Sequence, residues 1–355
     1  MATVGELKVT RTKASRLSQV DFDHIPFGRV FSDHMLVADY RDSSWQPPEI
    51  MPFQTMTLSP CTTALHYGQS IFEGLKAYRN VHGKPVFFRL NDNFDRMNRS
   101  AERMVMPAIP KELFVDGLKE LVRLDTEWIP KKEGGSLYIR PLMFANDDFI
   151  GVKPSESYKF VIFTCPVGAY YDEPVKLWVT REYVRAAEGG TGEAKTAGNY
   201  ASSYYAAQQA LERGYHNVLW LDGKEHRYIE ECGTMNVFFV IDGVAVTPEL
   251  SGTILRGITR DSAITLLKDE GVKVEERRVS IEEIVEAHRA GKLQEAFGSG
   301  TAATITPIIK IGSEEAVIDL PPDSERKIGP KLLKHLTDIR LGRAEDKYGW
   351  VEELG

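Results

Sequence analysis

The chain has 355 residues, 42% of them hydrophobic and 27% charged. At roughly 150 residues per domain this predicts two domains with a real core. Lys and Arg total 44 against 51 Asp and Glu, a net charge of −7, which argues against a nucleic-acid binder, since that class carries a basic excess. No apolar run approaches the roughly 18 residues of a membrane-spanning helix; the longest, near Phe160–Cys165 and Val237–Ile241, have strand length. The N-terminus is basic (Lys8, Arg11, Lys13, Arg16) but has no apolar segment, so no secretory signal is expected; such a start could suggest a transit peptide, but Glu6, Asp21 and Asp23 argue against one, and a flexible cytosolic tail is expected. Cys61, Cys165 and Cys232 are too few and too far apart for a disulfide framework or a thiolate metal site, and no histidines stand at metal-ligand spacing. The expectation is a cytoplasmic protein without a metal.

In chain order, Asn91–Asn93 cap a helix whose apolar residues Phe94, Met97, Ala101, Met104 and Val105 recur at helical spacing. A second helix is predicted over Lys111–Trp128 with Leu118, Leu121 and Val122 inward. Aromatic and β-branched residues make strands of Ser136–Phe144 and Tyr158–Cys165. The turn-rich stretch Pro166–Pro174 follows, then a strand Val175–Thr180 and a Gly-rich loop Glu188–Gly192. A helix from Tyr200 ends at Gly214, and strands are expected at Asn217–Asp222 and Asn236–Ile241. Asp242-Gly243 turns the latter into Val244–Val246 as a hairpin. A helix Thr259–Glu270 stops at Gly271, and Ser280-Ile-Glu-Glu283 is a capping box opening a helix that stops at Gly291. Strands and helices are not in strict βαβ alternation, so the fold class predicted is α+β rather than a doubly wound sheet. The expected organisation is an N-terminal domain over 1–170, a linker over 171–184 and a C-terminal domain over 185–355.

Several clusters could carry chemistry. Gly298-Ser-Gly300-Thr-Ala-Ala303 matches the dinucleotide pattern, but that fingerprint needs a helix to start at the glycines. Here Thr304-Ile305-Thr306-Pro307 follows, β-branched residues and then a helix breaker. Such a turn can still offer successive N–H groups to an anion, or be a plain loop. Lys195 sits among Ala194, Thr196, Ala197 and Gly198, whose small side chains leave room for a flat ring beside its amine; partial desolvation would make that amine a usable nucleophile. A solvated surface lysine is the plainer account. Arg96, Arg99 and Arg103 form a stripe with Asp92 and Asp95 four residues before the first two. This is either a solvated face with weak ion pairs or a stripe from which one guanidinium turns inward to clamp a phosphate. Leu255–Arg260 enters a helix N-terminus, suited to an anion or to ordinary capping by Thr259. Glu231 lies between two strands, where a carboxylate could face a cationic ring nitrogen or simply occupy a surface turn. Tyr138 and Arg140 share one face of a strand.

The order of these pieces carries more than any one of them. His66-Tyr67-Gly68-Gln-Ser-Ile-Phe72-Glu73-Gly74, Asp95-Arg96-Met97 with Ser100-Ala101, Tyr138-Ile-Arg140-Pro, Cys165-Pro-Val-Gly-Ala-Tyr170, Lys195-x-x-Gly-Asn-Tyr200, Glu231-x-Gly-Thr-Met-Asn236, Leu255-x-Gly-Ile-Thr-Arg260 and Gly298-Ser-Gly-Thr301-Ala302 follow one another. From Phe27-Gly28 to Pro307 the chain resembles the branched-chain-amino-acid aminotransferases, pyridoxal-phosphate enzymes of fold type IV. The resemblance implies two mixed sheet-and-helix domains with the cofactor between them. It also implies transfer of an amino group between L-leucine, L-isoleucine or L-valine and 2-oxoglutarate by a ping-pong route.

The resemblance also implies roles. The lysine matching Lys195 forms the Schiff base with pyridoxal 5'-phosphate and moves the proton between Cα and C4′. Arg96, the Ile258–Thr259 amides and Thr301 match the phosphate site. Glu231 matches the carboxylate that keeps the ring nitrogen protonated, Tyr200 the phenol on the ring's 3′ oxygen, and Leu255 packs near the ring. Phe72, Tyr67, Tyr138 and Tyr170, with Phe27, match the walls of the substrate pocket. Tyr67 and the Thr301–Ala302 amides match the α-carboxylate site, Thr234 lies among the substrate-binding residues, and Arg140 matches the group that recognises the distal carboxylate of glutamate. Ile150 and Val152 match a loop supplied by the partner subunit, so the expected assembly is a homodimer acting on small molecules, with no nucleic-acid or membrane partner. Two departures stand out. Ala303 and Thr306 occupy positions where some animal members have a redox Cys-x-x-Cys, so no thiol switch is expected there, and Arg256 replaces a common proline. D-amino-acid aminotransferases and aminodeoxychorismate lyases share the lysine, the carboxylate and the phosphate site, and form the alternative reading.

Overall fold

A computed structural model describes residues 5–168, 174–302 and 304–355. The chain divides into two compact units that are not contiguous in sequence. One is Met1–Tyr170 with Ala194–Gly198 and Asp338–Gly355; the other is Tyr171–Glu193 with Asn199–Thr337.

The first unit is built on a ten-stranded sheet. Its main path runs Lys8–Val9, Glu49–Pro52, His34–Arg41, Tyr158–Val167, Ser136–Ala145, Leu75–Arg79, Pro85–Phe88 and Val351–Glu353. The two central strands are the ones whose composition marks them most clearly, and they pair antiparallel with Tyr138 opposite Cys165 and Arg140 opposite Phe163. Leu36, Phe87, Phe160 and Ile162 of the sheet bury against Met97, Ala101, Leu118, Leu121 and Val122 of the helical segments. The helix Leu90–Arg103 ends before the expected Val105, which takes a positive φ of 54° and lies exposed. The expected helix over 111–128 is three pieces: a π-helical turn Glu112–Asp116, an α-helix Gly117–Leu124 and a 3₁₀ turn Thr126–Trp128.

The N-terminal tail is tied down rather than flexible. Lys8–Val9 pairs in parallel with Glu49–Ile50, Leu7 and Leu17 pack on the core, and the Thr12 N–H donates to His34 Nε2 at 2.9 Å. Because Nε2 accepts, the ring proton sits on Nδ1, 2.6 Å from Asp125 Oδ1.

The second unit holds a nine-stranded sheet, whose main path runs Ile229–Cys232, Asn217–Leu221, Val175–Val179, Thr304–Gly312, Leu293–Gly300, Met235–Ile241, Val244–Thr247 and Val274–Glu276. Ile229–Cys232 also pairs with Met235–Ile241, closing part of the sheet on itself. Val175–Val179 is parallel to both its neighbours, whereas most other pairs are antiparallel, so this is the mixed sheet of an α+β fold. Local signals hold well here. Asp242 and Gly243 both have positive φ, 52° and 79°, as a type I′ hairpin requires. Ser280 Oγ accepts the N–H of Glu283 at 3.1 Å and starts the helix Ile281–Arg289. The helix expected over 200–214 is broken into Ala197–Ala201 and Tyr204–Glu212.

The expected domain limits need correction. The stretch 171–184 carries the strand Val175–Val179, hydrogen-bonded on both edges inside the second sheet, so it is not a linker throughout. The block 185–355 loses its C-terminal end and an internal segment, Ala194–Gly198, to the first unit: Val351–Glu353 pairs with Pro85–Phe88, and Thr196 bridges Ile71. Among the described residues no helix is long and apolar enough to cross a membrane, and no cluster of His, Cys, Asp or Glu suits a metal ion.

Candidate active site

In the first unit the residues around Lys195 are held by backbone contacts. Its carbonyl accepts the Phe72 N–H at 3.0 Å, and its own N–H donates to Ser100 Oγ at 2.9 Å. Thr196 Oγ1 donates to the Ser70 carbonyl at 2.9 Å. The lysine backbone is thereby fixed to the strand Ser70–Phe72, while the half-buried side chain places Nζ 5.2 Å from the Phe72 ring centre. Small neighbours on both sides permit this close lateral seat.

The arginine stripe separates into two kinds. Arg99 and Arg103 are exposed, as a solvated face predicts. Arg96 turns inward and grips Glu73 bidentately, Nε to Oε1 at 2.6 Å and Nη2 to Oε2 at 2.8 Å, with both side chains buried. Asp92, the expected helical partner of Arg96, pairs instead with Arg89.

Phe72, Tyr138 and Arg140 come together. Arg140 Nη2 donates to the Tyr138 hydroxyl at 3.0 Å, and the guanidinium carbon lies 4.6 Å from the centre of the Phe72 ring and 5.3 Å from that of Tyr138. The Phe27 ring meets Tyr138 edge-on at 5.4 Å. A Cβ on Gly74 would stand 2.2 Å from the Tyr138 hydroxyl oxygen, so that neighbour must be glycine for the phenol to sit here. Arg140 Nε is buried without a hydrogen-bond partner among the described residues. A buried N–H left unpaired costs about 1–3 kcal/mol, which fits a site waiting for an anionic ligand. Tyr67 closes the short helix Thr63–Tyr67 and is 41% exposed, and Ile150 and Val152 stand out from their loop at 64% and 92%. Tyr170 lies outside the described residues, as does Ala303.

The second unit gathers another set. Glu231, buried on the strand Ile229–Cys232, accepts the Leu255 N–H at 2.8 Å and lies 3.3 Å from Arg185 Nη2. Arg185 also donates to the carbonyls of Gly192 and Thr253. Asn236 Nδ2 donates to the Leu255 carbonyl at 2.9 Å, so this residue is held from both sides. The helix Ile258–Asp269 begins after Gly257 with no side-chain cap; Thr259 is buried in its first turn and does not cap it. A Cβ at Gly257 would come within 1.9 Å of Asn236 Oδ1, so the approach of the strand to the helix start requires glycine. Arg260 points elsewhere, to the Pro248 carbonyl at 2.8 Å and to Glu276 at 3.1 Å.

Thr301 and Ala302, half-buried, turn the strand Leu293–Gly300 into Thr304–Gly312. The glycines therefore end a strand and open no helix, and a dinucleotide site of the usual kind is ruled out. Tyr200 is half-buried in Ala197–Ala201, and Thr234 is exposed at the turn between Ile229–Cys232 and Met235–Ile241. The residues missed from sequence are Glu73, Ser100, Arg185 and Asn236. Glu73, Ser100 and Asn236 stand inside the ordered motifs but have no role assigned there, and Arg185 follows a strand with no local signal at all.

The profile of the family described as Amino-transferase class IV matches residues 70–311. "Branched-chain-amino-acid aminotransferase 2" of Bacillus subtilis is 47% identical over 352 residues, covering 98% of this chain and 96% of that protein. The chain is a class IV aminotransferase of the branched-chain-amino-acid group. Among solved structures, the branched-chain aminotransferase of Thermoproteus uzoniensis with norvaline aligns with a TM-score of 0.76 at 28% identity, covering 91% of this chain and 100% of that one. The T.th. branched-chain amino acid aminotransferase with pyridoxamine 5'-phosphate aligns at 0.72 and 29%, covering 90% and 98%. The residues of this aminotransferase suit such a group. An uncapped helix start suits a phosphate, a buried carboxylate suits a protonated ring nitrogen, and a lysine with small neighbours suits an aldehyde.

Proposed function

We propose that this aminotransferase moves the amino group between L-leucine, L-isoleucine or L-valine and 2-oxoglutarate, giving branched 2-oxo acids and L-glutamate, with pyridoxal 5'-phosphate as cofactor. The observation that carries the reading is the seat of Lys195, backbone-pinned with its amine near Phe72, within a chain 47% identical to a named relative along nearly its full length.

When bound, the cofactor supplies an electron sink for the pair left at the substrate's Cα. Lys195 Nζ would hold the cofactor aldehyde and would serve as the base and acid that carries the substrate's Cα proton. Glu231, backed by Arg185 and the Leu255 N–H, keeps a proton on the ring nitrogen. Arg96, the amides of Ile258 and Thr259, and Thr301 would hold the phosphate, and Tyr200 would hydrogen-bond the ring's 3′ oxygen. Phe72, Tyr138 and Phe27, with Tyr170, wall the side-chain pocket. Burying a branched chain there contributes about 1.5–3 kcal/mol. Tyr67 and the Thr301–Ala302 amides would take the α-carboxylate, with Thr234 among the substrate-binding residues.

A homodimer is part of the reading, supported by the exposed apolar side chains of Phe149, Ile150 and Val152 on one loop. Cytoplasmic residence is supported by three cysteines that form no disulfide.

With L-leucine alone, cofactor-loaded protein releases one equivalent of 4-methyl-2-oxopentanoate per site and stops; 2-oxoglutarate restarts it with formation of glutamate. Faster turnover of D-alanine than of L-leucine would reject the reading in favour of the D-amino-acid alternative. Arg140→Met tests the acceptor side. Losing a charged hydrogen bond to the distal carboxylate raises KM for 2-oxoglutarate about ten- to a hundredfold, while the first half-reaction with leucine, which has no distal carboxylate, stays within a few-fold.

A further inference from the structure

Glu230 and Glu231 are neighbours on one strand, and both hold the same short segment, residues 253–255. Glu231 takes the Leu255 N–H, whereas Glu230 Oε1 accepts the Thr253 hydroxyl at 2.5 Å. Arg185 joins the two ends, donating to the Thr253 carbonyl and lying beside Glu231. Glu230 is 5% exposed, and its Oε2 is buried with no hydrogen-bond partner among the described residues. Arg185 therefore ties Glu231 to Thr253, the residue whose hydroxyl Glu230 accepts. We propose that Glu230 is a positioning residue for Glu231, anchoring through Thr253 the 253–255 segment that also holds Glu231 and Arg185. The inference rests on the assignment of Glu231 to the cofactor's ring nitrogen.

Burial pushes the Glu230 carboxyl up to about 7; the Thr253 hydroxyl and Arg185 oppose that rise, while Glu231 and Asp222 add to it. Asp222 itself stays charged: burial opposes ionisation, but the N–H groups of Arg227, Glu225, Tyr228 and Lys224 outweigh it and bring that carboxyl down to about 2. The cleft of about 440 Å³ that Glu230 lines also carries Glu188, Lys224, Glu225, Glu249 and Arg278. Glu230 thus changes charge in the neutral range amid fixed charges. The folded protein binds this proton more tightly than the unfolded chain does. Its stabilising contribution is complete below the ordinary glutamate range and is lost as pH rises to about 7.

The test uses the full-length protein and three variants, E230Q, T253V and T253S. E230Q stays neutral at every pH, so its melting temperature relative to wild type should rise by roughly 5–10 °C between pH 5 and pH 8, without cofactor present. The ratio of wild-type to E230Q affinity for pyridoxal 5'-phosphate should increase about three- to tenfold between pH 6 and pH 8, because an added negative charge near the ring favours its protonated form. T253V should weaken cofactor binding several-fold, and T253S, which keeps the hydroxyl, should restore it. A pH-independent affinity ratio together with wild-type binding in T253V would overturn the proposal. Failure of the wild-type protein to take up the cofactor would instead reject the functional reading and the positioning role with it, while the cofactor-free melting comparison still reports on the charge of Glu230.

Discussion

Replacing Lys195 with alanine should lower turnover by about four orders of magnitude, since one amine serves as covalent anchor, base and acid. The variant should still fold. The contacts that fix this position are made by the backbone carbonyl to the Phe72 N–H and by the backbone N–H to Ser100, and neither uses the side chain. An unchanged melting temperature alongside lost activity separates chemistry from structure. Borohydride reduction followed by peptide mapping should place the cofactor on Lys195 in the wild type and on no other lysine. Small primary amines supplied in solution should restore a fraction of the rate, because they can replace the proton carrier though not its positioning. Retention of more than about one per cent of activity in the alanine variant would remove Lys195 from the centre of the reaction.

Lys195 also shows where a sequence stops speaking. Its small neighbours were visible, but its place beside Phe72 depends on a bridge between Thr196 and Ile71, two segments remote in the chain. The same holds at the C-terminus. Val351–Glu353 has a short strand's composition, but nothing nearby tells it to pair with Pro85–Phe88. By contrast, the Asp242-Gly243 hairpin and the Ser280 cap were legible, because a turn or a cap is decided by residues within a few positions of one another. The strand Leu293–Gly300 was missed because its Gly298-Ser-Gly300 end reads as a loop, although all three residues pair across the sheet with Thr306, Ile305 and Thr304.

Arg96 and Arg185 extend the point to charge. Helical spacing offered Asp92 to Arg96, but Arg89 takes Asp92, and Arg96 finds Glu73 across the fold. Arg185 could not be linked to Glu231 from sequence at all, yet it supplies the countercharge that lets a carboxylate be buried there. The motif order singles out Arg96 and Glu231 without their partners; the structure adds the countercharge that faces each of them.

The Arg96–Glu73 pair gives the second large expected effect. Its guanidinium is 5% exposed and its carboxylate fully buried, so removal of either partner takes the opposite charge away from a buried ion. Glu73→Ala should destabilise the protein by about 3–5 kcal/mol, seen as a fall in melting temperature of roughly 10 °C or more. Arg96→Met should cost a similar amount. The double variant Glu73→Leu/Arg96→Met should be more stable than either single one, because packing two apolar side chains avoids desolvating any charge. Equal and additive losses would mean that the pair contributes through packing alone. Cofactor separates the two singles further. If Arg96 meets the phosphate as proposed, pyridoxal 5'-phosphate should recover part of the lost stability in Glu73→Ala, where the guanidinium remains, and less in Arg96→Met, where it is gone.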